Sequence, residues 1–214
     1  MNLHTQYPEF EPFVGSNYGK GGKPRILLIA ESHYFPKSSN KHLDPIAWYS
    51  GTSDSLTPEE RGWITTKTNF VDFVNGYRNR TNRIWRNLFS AINSYGPKYA
   101  PEHYKQVVDD IAFFNFFARP AREQLSLKLS PYHELDGEIA NQLFLQNIEK
   151  LKPHLVIFIS QFAYSKLKHG SYDIPIQVTP HPGCSWWNRS VPKYGYRKGK
   201  EMVADYLNSN GLSF

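Results

Sequence analysis

Four sets of polar side chains follow or interrupt the short apolar runs of this sequence. Glu31 follows the first run, Asn115 lies inside the second, Ser160 and Gln161 follow the third, and His181 follows the fourth. A carboxylate can orient a water molecule, and a neutral imidazole can donate a hydrogen bond to an atom that gains negative charge. An amide offers a donor and an acceptor in one plane. These residue types therefore suit the binding of a flat polar ligand and the stabilisation of charge that develops on it.

The apolar runs predict the elements that position these side chains. Short continuous apolar runs are typical of parallel strands buried on both faces. Their alternation with amphipathic segments predicts a three-layer α/β/α sandwich with a central four-stranded, mostly parallel sheet. Ligands of such sheets bind beyond the carboxyl ends of the strands, where all four polar sets lie. The predicted strands are 26–30, 110–117, 155–159 and 174–179, and the predicted helices in the second half are 137–151, capped by Asp136, 161–169 and 197–208.

The rest of the first half of the chain predicts an arm, a loop and two helices. Residues 1–23 are rich in Pro, Gly and Tyr and predict an extended arm, and residues 37–60 predict a long loop insertion. Residues 63–74 and 82–94 predict helices. Several arginines lie just before or on the polar face of the second of these helices, namely Arg78, Arg80, Arg83 and Arg86. A solvated face is the ordinary interpretation of such a group, and contact with phosphates is the alternative.

Composition limits the class of protein. The 214 residues suit a single domain, and 40% hydrophobic with 21% charged residues is typical of a globular chain. The net charge of +6 and the 15% aromatic content suit a nucleic-acid partner, because aromatic rings stack on bases. A single cysteine, Cys184, excludes an internal disulfide and an all-cysteine metal site.

Other features of the sequence bear on location and cofactors. We expect a cytoplasmic monomer with no membrane contact, because the first residues show no signal pattern and no apolar run is long enough to span a bilayer. The eight histidines lack metal-binding spacing. We therefore expect neither a metal nor any other cofactor.

The segment from Val178 to Arg189 combines a stiff backbone with a titratable histidine and two tryptophans. His181 lies between two prolines, which restrict the backbone on both sides of it. Trp186 and Trp187 follow shortly after. This pattern indicates either a site that needs accurate placement or a tight turn whose tryptophans fold back on the core.

Motifs at the four strand ends resemble those of the uracil-DNA glycosylase superfamily. Ala-Glu-Ser-His-Tyr at 30–34 is similar to its first motif, and Asn115 followed by Arg-Pro at 119–120 is similar to its base-recognising strand. Residues 151–157 resemble its third-strand segment, and His-Pro-Gly at 181–183 resembles its closing motif. The motifs occur in the family's order across residues 25–207.

The resemblance implies roles for individual residues. Glu31, Ser32 and His181 are the expected catalytic residues, with Glu31 orienting the attacking water. The expected base-binding residues are Asn115, Tyr34, Phe35 and His33. The expected DNA-binding residues are Trp186, Trp187, Asn188, Arg189, Ser160, Gln161 and Arg119. Some of these residues have a structural alternative: Asn115 could cap a strand, Glu31 could pair with an arginine, His181 could bond to its own turn, and the tryptophans could be core.

The chain also departs from the family pattern. Ala30 replaces the usual glycine, Ser32 stands where the most active branch has an aspartate, and His33 replaces a proline. One cysteine excludes the iron–sulfur branch. The expected function is removal of uracil or a modified pyrimidine from DNA to leave an abasic site, including hypermodified cytosine of phage DNA in an anti-phage role. The alternatives are a catalytically inactive DNA- or nucleotide-binding module on the same fold and a small hydrolase of free nucleotides.

Overall fold

The computed structural model describes residues 3–68, 83–93, 101–123, 125–129, 131–168, 170 and 172–212. Its centre is one mixed sheet of five strands. They are β1 Phe13–Val14, β2 Ile26–Phe35, β3 Ile111–Arg122, β4 Leu155–Phe158 and β5 Ile176–Val178. The spatial order is β1-β3-β2-β4-β5, with β1 antiparallel to β3 and every other pair parallel. The predicted α/β class with a mostly parallel sheet is confirmed, but the predicted number of four strands is wrong.

The additional strand lies in the predicted N-terminal arm. Phe13 is the register partner of Phe113, and the N–H of Gly15 donates to the carbonyl of Ile111 at 2.8 Å. A Cβ at Gly15 would lie 2.3 Å from the carbonyl oxygen of Asp109, so only glycine allows this close approach. The arm is therefore an edge strand, and a strand of two residues leaves no periodic pattern in the sequence.

Eight α-helices with both ends described lie around the sheet, and residues 66–68 are also helical. The three predicted helices of the second half start or end at other residues than predicted, and the helix Pro101–Asp110 was not predicted. The first five are α1 Leu3–Gln6, α2 Pro45–Ser50, α3 Pro58–Ile64, α4 Arg83–Ile92 and α5 Pro101–Asp110. The last three are α6 Glu134–Leu151, α7 Gln161–Ser165 and α8 Gly199–Ser209. Of the predicted helices 63–74 and 82–94, residues 69–74, 82 and 94 lie outside the described residues, as do Arg78 and Arg80.

Side-chain alternation along the strands divides the core into two layers. Ile26 and Leu28 of β2 face a cluster that includes residues of α4, α5 and α8. Leu27 and Ile29 face the opposite cluster, which includes residues of α6 and α7. Helices therefore cover both faces of the sheet, and the polar ends of the parallel strands remain at one edge.

The predicted loop at 37–60 is folded rather than open. It contains α2, the start of α3 and two short 3-10 helices, and its Trp48 and Tyr49 are buried. The ring of Tyr7 in the arm stacks on Trp48 with centroids 5.1 Å apart, and its hydroxyl donates to the Trp48 carbonyl at 2.8 Å. Phe35 at the end of β2 completes this third cluster. The segment therefore joins the arm to the carboxyl end of β2.

The cap of α6 also differs from the prediction. His133 is the N-cap: its Nδ1 accepts from the N–H of Leu135, while Asp136 accepts from the N–H of His133. Asp136 thus lies inside the first turn instead of before it.

In the described part of the chain, no helix has both the length and the apolar character that crossing a membrane requires.

Candidate functional site

The carboxyl ends of the parallel strands bring the predicted residues to one edge of the sheet. Ala30 of β2 is the register partner of Asn115 of β3, so Glu31 lies one residue beyond Asn115 on the neighbouring strand. Ser160 follows β4, and His181 follows β5. With strands about 4.8 Å apart, the backbones of β3 and β5 are roughly 14 Å apart, with β2 and β4 between them. Asn115 in β3 and His181 after β5 are therefore separated at this edge by β2, which contains Glu31, and by β4, which Ser160 follows.

Glu31 is held by neutral donors and not by a cation. Its Oε1 accepts from the hydroxyl of Ser126 at 2.6 Å and from the N–H of Leu127 at 2.9 Å, and its Oε2 accepts from the hydroxyl of Ser160 at 3.0 Å. No lysine or arginine in the described ranges forms an ion pair with it. A carboxylate has about four lone-pair sites, so a further donor such as water can still bind Oε2. The alternative of a structural Glu31–arginine pair is thus not observed.

Ser160 links Glu31 to the helix that follows β4. Its hydroxyl donates to Glu31 and accepts from the N–H of Ala163 at 3.2 Å, as an N-cap does. Ser160 is buried. Its expected contact with DNA is therefore corrected: the hydroxyl is occupied in fixing the carboxylate of Glu31.

His181 has one ring nitrogen engaged and the other available. The N–H of Gly183 donates to Nδ1 at 3.1 Å, so the neutral ring carries its proton on Nε2, to which no described residue bonds. A Cβ at Gly183 would lie 3.1 Å from Nδ1 and 3.2 Å from a side-chain carbon of Ile84. The amide of Asn87 donates to the Pro182 carbonyl at 2.7 Å and ties this turn to α4. The turn thus presents an Nε2–H donor on a fixed backbone.

Electrostatics couples Glu31 to the residues around it. Burial lowers the pKa of His181, and the charge of Glu31 opposes that effect. Burial raises the pKa of Tyr34, and the charge of Glu31 raises it further. His181 and Tyr34 therefore both lie within the electrostatic reach of one carboxylate, and His181 is neutral at neutral pH.

Asn115 contacts His33, which the sequence had suggested as a base-binding residue. The amide Nδ2 of Asn115 lies 3.0 Å from Nε2 of His33, whose ring is buried against Phe10. Nε2 also lies 3.1 Å from the hydroxyl of Thr66. Asn115 is half-buried, and its Oδ1 forms no hydrogen bond with any residue in the described ranges. His33 thus supports Asn115 from behind, and one end of the amide stays open.

No protein-family model and no curated protein sequence matches this chain.

The base-binding role expected of Phe35 is corrected by its burial. Phe35 is 0% exposed and packs edge-on against His42 and Trp48 in the third core cluster. Tyr34 beside it is 41% exposed, so it is the ring of this pair that a base can reach. Ser32 is half-buried opposite Phe117, and no residue of the described part hydrogen-bonds to its hydroxyl.

Arg119 is a core residue and not a DNA contact. Its guanidinium is 1% exposed and forms a two-point ion pair with Asp136, with Nε–Oδ1 at 2.8 Å and Nη2–Oδ2 at 2.6 Å. Its remaining donors bond to the carbonyls of His42 and Pro131. Every polar atom of the group is engaged inside the protein, so the expected role in DNA binding is wrong.

The two tryptophans after His181 have opposite environments. Trp187 is 1% exposed and packs in the first core cluster, close to Gly199 of α8. Trp186 is 44% exposed, and Asn188 and Arg189 beside it are exposed too. Gln161 is half-buried at the first position of α7. Trp187 is thus not available to DNA, and of the expected DNA-binding residues after His181 only Trp186, Asn188 and Arg189 are exposed.

Two residues that hold the site could not be identified from the sequence alone. Ser126 and Thr66 lie in polar segments far along the chain from Glu31 and His33, and no local pattern indicates the pairing. No cluster of three or more His, Cys, Asp or Glu side chains within the described ranges could hold a metal ion. The chemistry available at this edge is therefore that of hydrogen-bond donors, a carboxylate and an exposed aromatic ring.

Proposed function

We propose that the protein is a monofunctional DNA glycosylase, a divergent member of the uracil-DNA glycosylase superfamily without the iron–sulfur cluster. It hydrolyses the N-glycosidic bond of a flipped-out uracil or modified pyrimidine, including the hypermodified cytosine of phage DNA. The observation that carries the proposal is the pairing of Glu31 with His181. A carboxylate held by neutral donors lies at the same sheet edge as a neutral histidine with a free Nε2–H.

This pairing suits the two ends of the reaction. Breaking the bond between the base and C1′ leaves the electron pair on the base and a positively charged sugar. The oxygen of water then adds to C1′, its proton passes to Glu31, and that proton finally neutralises the released base anion. His181 donates from Nε2 to the base oxygen that gains charge, and such stabilisation of developing charge by preorganised donors is usually the largest single term in catalysis. Glu31 accepts from the attacking water through the open site on Oε2 and stabilises the sugar charge.

Binding of the base is assigned to Asn115 and Tyr34. Asn115 offers its open amide end, and Tyr34 offers an exposed ring on the strand beside it. Flipping a base out of duplex DNA requires a few kcal/mol. Trp186 fills the gap that the base leaves, and Arg189 contacts the phosphates. The net charge of +6 favours a DNA partner. We also propose that the protein acts as a cytoplasmic monomer, with no membrane contact, in base excision or anti-phage defence.

A catalytically inactive DNA- or nucleotide-binding module is the second candidate. Two residues of the first motif favour it. His33, which stands in place of proline, is buried and contacts Asn115, and Ser32 supplies no carboxylate. In this case DNA binds through Trp186, Arg189 and Tyr34 without bond cleavage.

A strand-scission assay separates the candidates. The protein is incubated with oligonucleotides that contain uracil, and separately with phage DNA that contains modified cytosine, and abasic sites are then cleaved with alkali. The glycosylase proposal expects breaks that disappear in Asn115→Ala and His181→Ala and persist in Arg197→Ala, an exposed control whose guanidinium pairs with Asp205. Salt-sensitive binding without breaks supports the binding module. Release of base from mononucleotides alone supports the hydrolase of free nucleotides and overturns the proposal.

A further inference from the structure

Residues 188–198 form a loop whose two ends meet beside the His181 turn. A Cβ at Gly199 would lie 2.7 Å from the buried ring of Trp187 and 3.2 Å from Pro180, the residue before His181. The loop thus leaves the core at Trp187 and returns to it at Gly199, the first residue of α8. Compact surface loops whose ends are close are frequently functional. The 188–198 loop is therefore anchored to the backbone that positions His181.

The 188–198 loop carries four basic residues and no acidic one. Arg197 and Lys198 pair with carboxylates of α8, at 2.6 Å and 2.7 Å respectively. Arg189 and Lys193 are exposed and form no ion pair with any residue in the described ranges. The loop therefore presents two cations whose charge is not offset, which suits a polyanionic partner.

Tyr196 of this loop presents its ring to solvent from a backbone conformation that tyrosine rarely adopts. The residue is 73% exposed and has a φ of 60°. Its N–H donates to the Val191 carbonyl at 3.0 Å, and Gly195 before it has a φ of 61°, so the turn fixes this conformation. No described residue stacks on the ring or bonds to its hydroxyl. Packing therefore does not explain a ring at a strained position, and such strain is concentrated at binding and catalytic sites.

An exposed ring beside two free cations is the arrangement that binds an unpaired nucleic-acid strand. Bases in a duplex are covered by their neighbours, whereas an unpaired base can stack on an aromatic side chain while cations hold the phosphates. We infer that the 188–198 loop binds an unpaired stretch of DNA, with one base stacked on Tyr196 and phosphates at Arg189 and Lys193. The inference rests on the proposed function for the identity of the partner as DNA, and it adds a preference for single-stranded over double-stranded substrate.

Titrations of fluorescence anisotropy with two labelled oligomers test the inference. One is an oligothymidylate, which offers bases and phosphates, and the other is an abasic oligomer of the same length, which offers phosphates alone. Tyr196→Gly removes the ring and suits the left-handed backbone, so its melting temperature should not fall below that of the wild type. Y196G should weaken binding of the oligothymidylate by about fivefold or more, the effect of one lost stacked base, and leave binding of the abasic oligomer unchanged.

Two further variants separate the ring from the charge. Tyr196→Phe keeps the ring and removes the hydroxyl, so it should bind both oligomers as the wild type does. Lys193→Ala removes a cation and should weaken binding of both oligomers by the same factor, with a smaller dependence on salt. Y196G should keep the salt dependence of the wild type, because it loses no charge.

Three results would overturn the inference. They are an equal effect of Y196G on both oligomers, no effect of Y196G on either, and wild-type binding of a duplex as tight as that of the oligothymidylate. Neither oligomer contains uracil or a modified base, so these titrations do not depend on base release. Absence of base release together with ring-dependent binding overturns the glycosylase proposal and supports the inference, and base release without ring-dependent binding does the reverse.

Discussion

Glu31 lies in β2 and His181 follows β5, which β4 separates from β2, and yet the charge of Glu31 raises the pKa of His181 against the lowering effect of burial. The carboxylate is fixed by Ser126, Leu127 and Ser160, and the imidazole is fixed by Gly183. Neither residue depends on the other for its placement. Their interaction is therefore purely electrostatic, and removing the charge of Glu31 should change the pKa of His181.

Glu31→Gln tests this coupling. The substitution keeps the shape of the side chain and removes the charge, so the pKa of His181 should fall further below its ordinary value. An NMR titration of the His181 ring protons in both proteins measures the change. Glu149→Gln, at an exposed position on α6, is the control that should leave the titration unaltered. A His181 pKa that rises in E31Q would contradict the coupling.

Trp186 and Trp187 form a matched pair for separating binding from stability. Trp187→Ala removes a fully buried ring and should lower the free energy of unfolding by about 3–5 kcal/mol. Trp186→Ala should change it by no more than about 0.5 kcal/mol. In a DNA-binding titration, however, W186A should weaken binding by roughly 1–3 kcal/mol, the range for one stacked base. Equal effects of both substitutions on stability would show that the assigned environments are incorrect.

Arg119→Ala should destabilise the protein without a specific effect on DNA contacts. The substitution leaves the carboxylate of Asp136 buried and without its cation, which typically costs about 3–5 kcal/mol. Urea unfolding followed by circular dichroism gives the value. Arg197→Ala breaks an exposed ion pair with Asp205 and should cost no more than about 1 kcal/mol. A small effect of R119A would instead favour an exposed guanidinium.

His42 should make the folded state sensitive to acid. Burial, followed by the charges of Arg119 and Arg122, lowers its pKa from 6.5 to about 4. Between those values the unfolded chain binds a proton that the folded chain does not, so stability falls as the pH decreases, by about 1.4 kcal/mol per unit. His42→Leu should remove this part of the slope.

The comparison requires unfolding free energies at pH 7 and pH 5 for both proteins. Both ring nitrogens of His42 are buried without a hydrogen-bond partner in the described structure, so their removal should have a small effect at pH 7. The carbonyl of His42 that accepts from Arg119 is retained in H42L. An unchanged difference between pH 7 and pH 5 would show that His42 is not the source.

The sequence predicted the layers of the fold better than the lengths of its strands. The apolar runs at 26–30 and 155–159 correspond to β2 and β4, because buried parallel strands need apolar side chains on both faces. β2 and β3 continue well beyond their apolar runs, since His33 and Arg119 are polar residues buried by partners from distant segments. Such tertiary partners leave no local periodicity.

The same reason limits prediction of the candidate site. The position of Glu31 and His181 at one edge follows from strand topology, which the sequence indicated. The direction of each side chain does not follow from residue type. Phe35 and Trp187 point into the core, whereas Tyr34 and Trp186 beside them point outward. Ser126 and Thr66 reach the site from segments whose pairing only the folded chain reveals.

The placement of the arm sets a lower bound on the smallest fragment that could fold as the whole chain does. Glu9 and Phe10 contact Thr66 and His33, and Tyr7 covers Trp48. A shortened version beginning at Lys23 would leave the rings of Trp48 and His33 without the aromatic side chains that cover them. Removing these residues would therefore disturb the carboxyl end of β2, although the arm precedes β2 by many residues in the sequence. Recombinant forms should retain the first fourteen residues, which include β1.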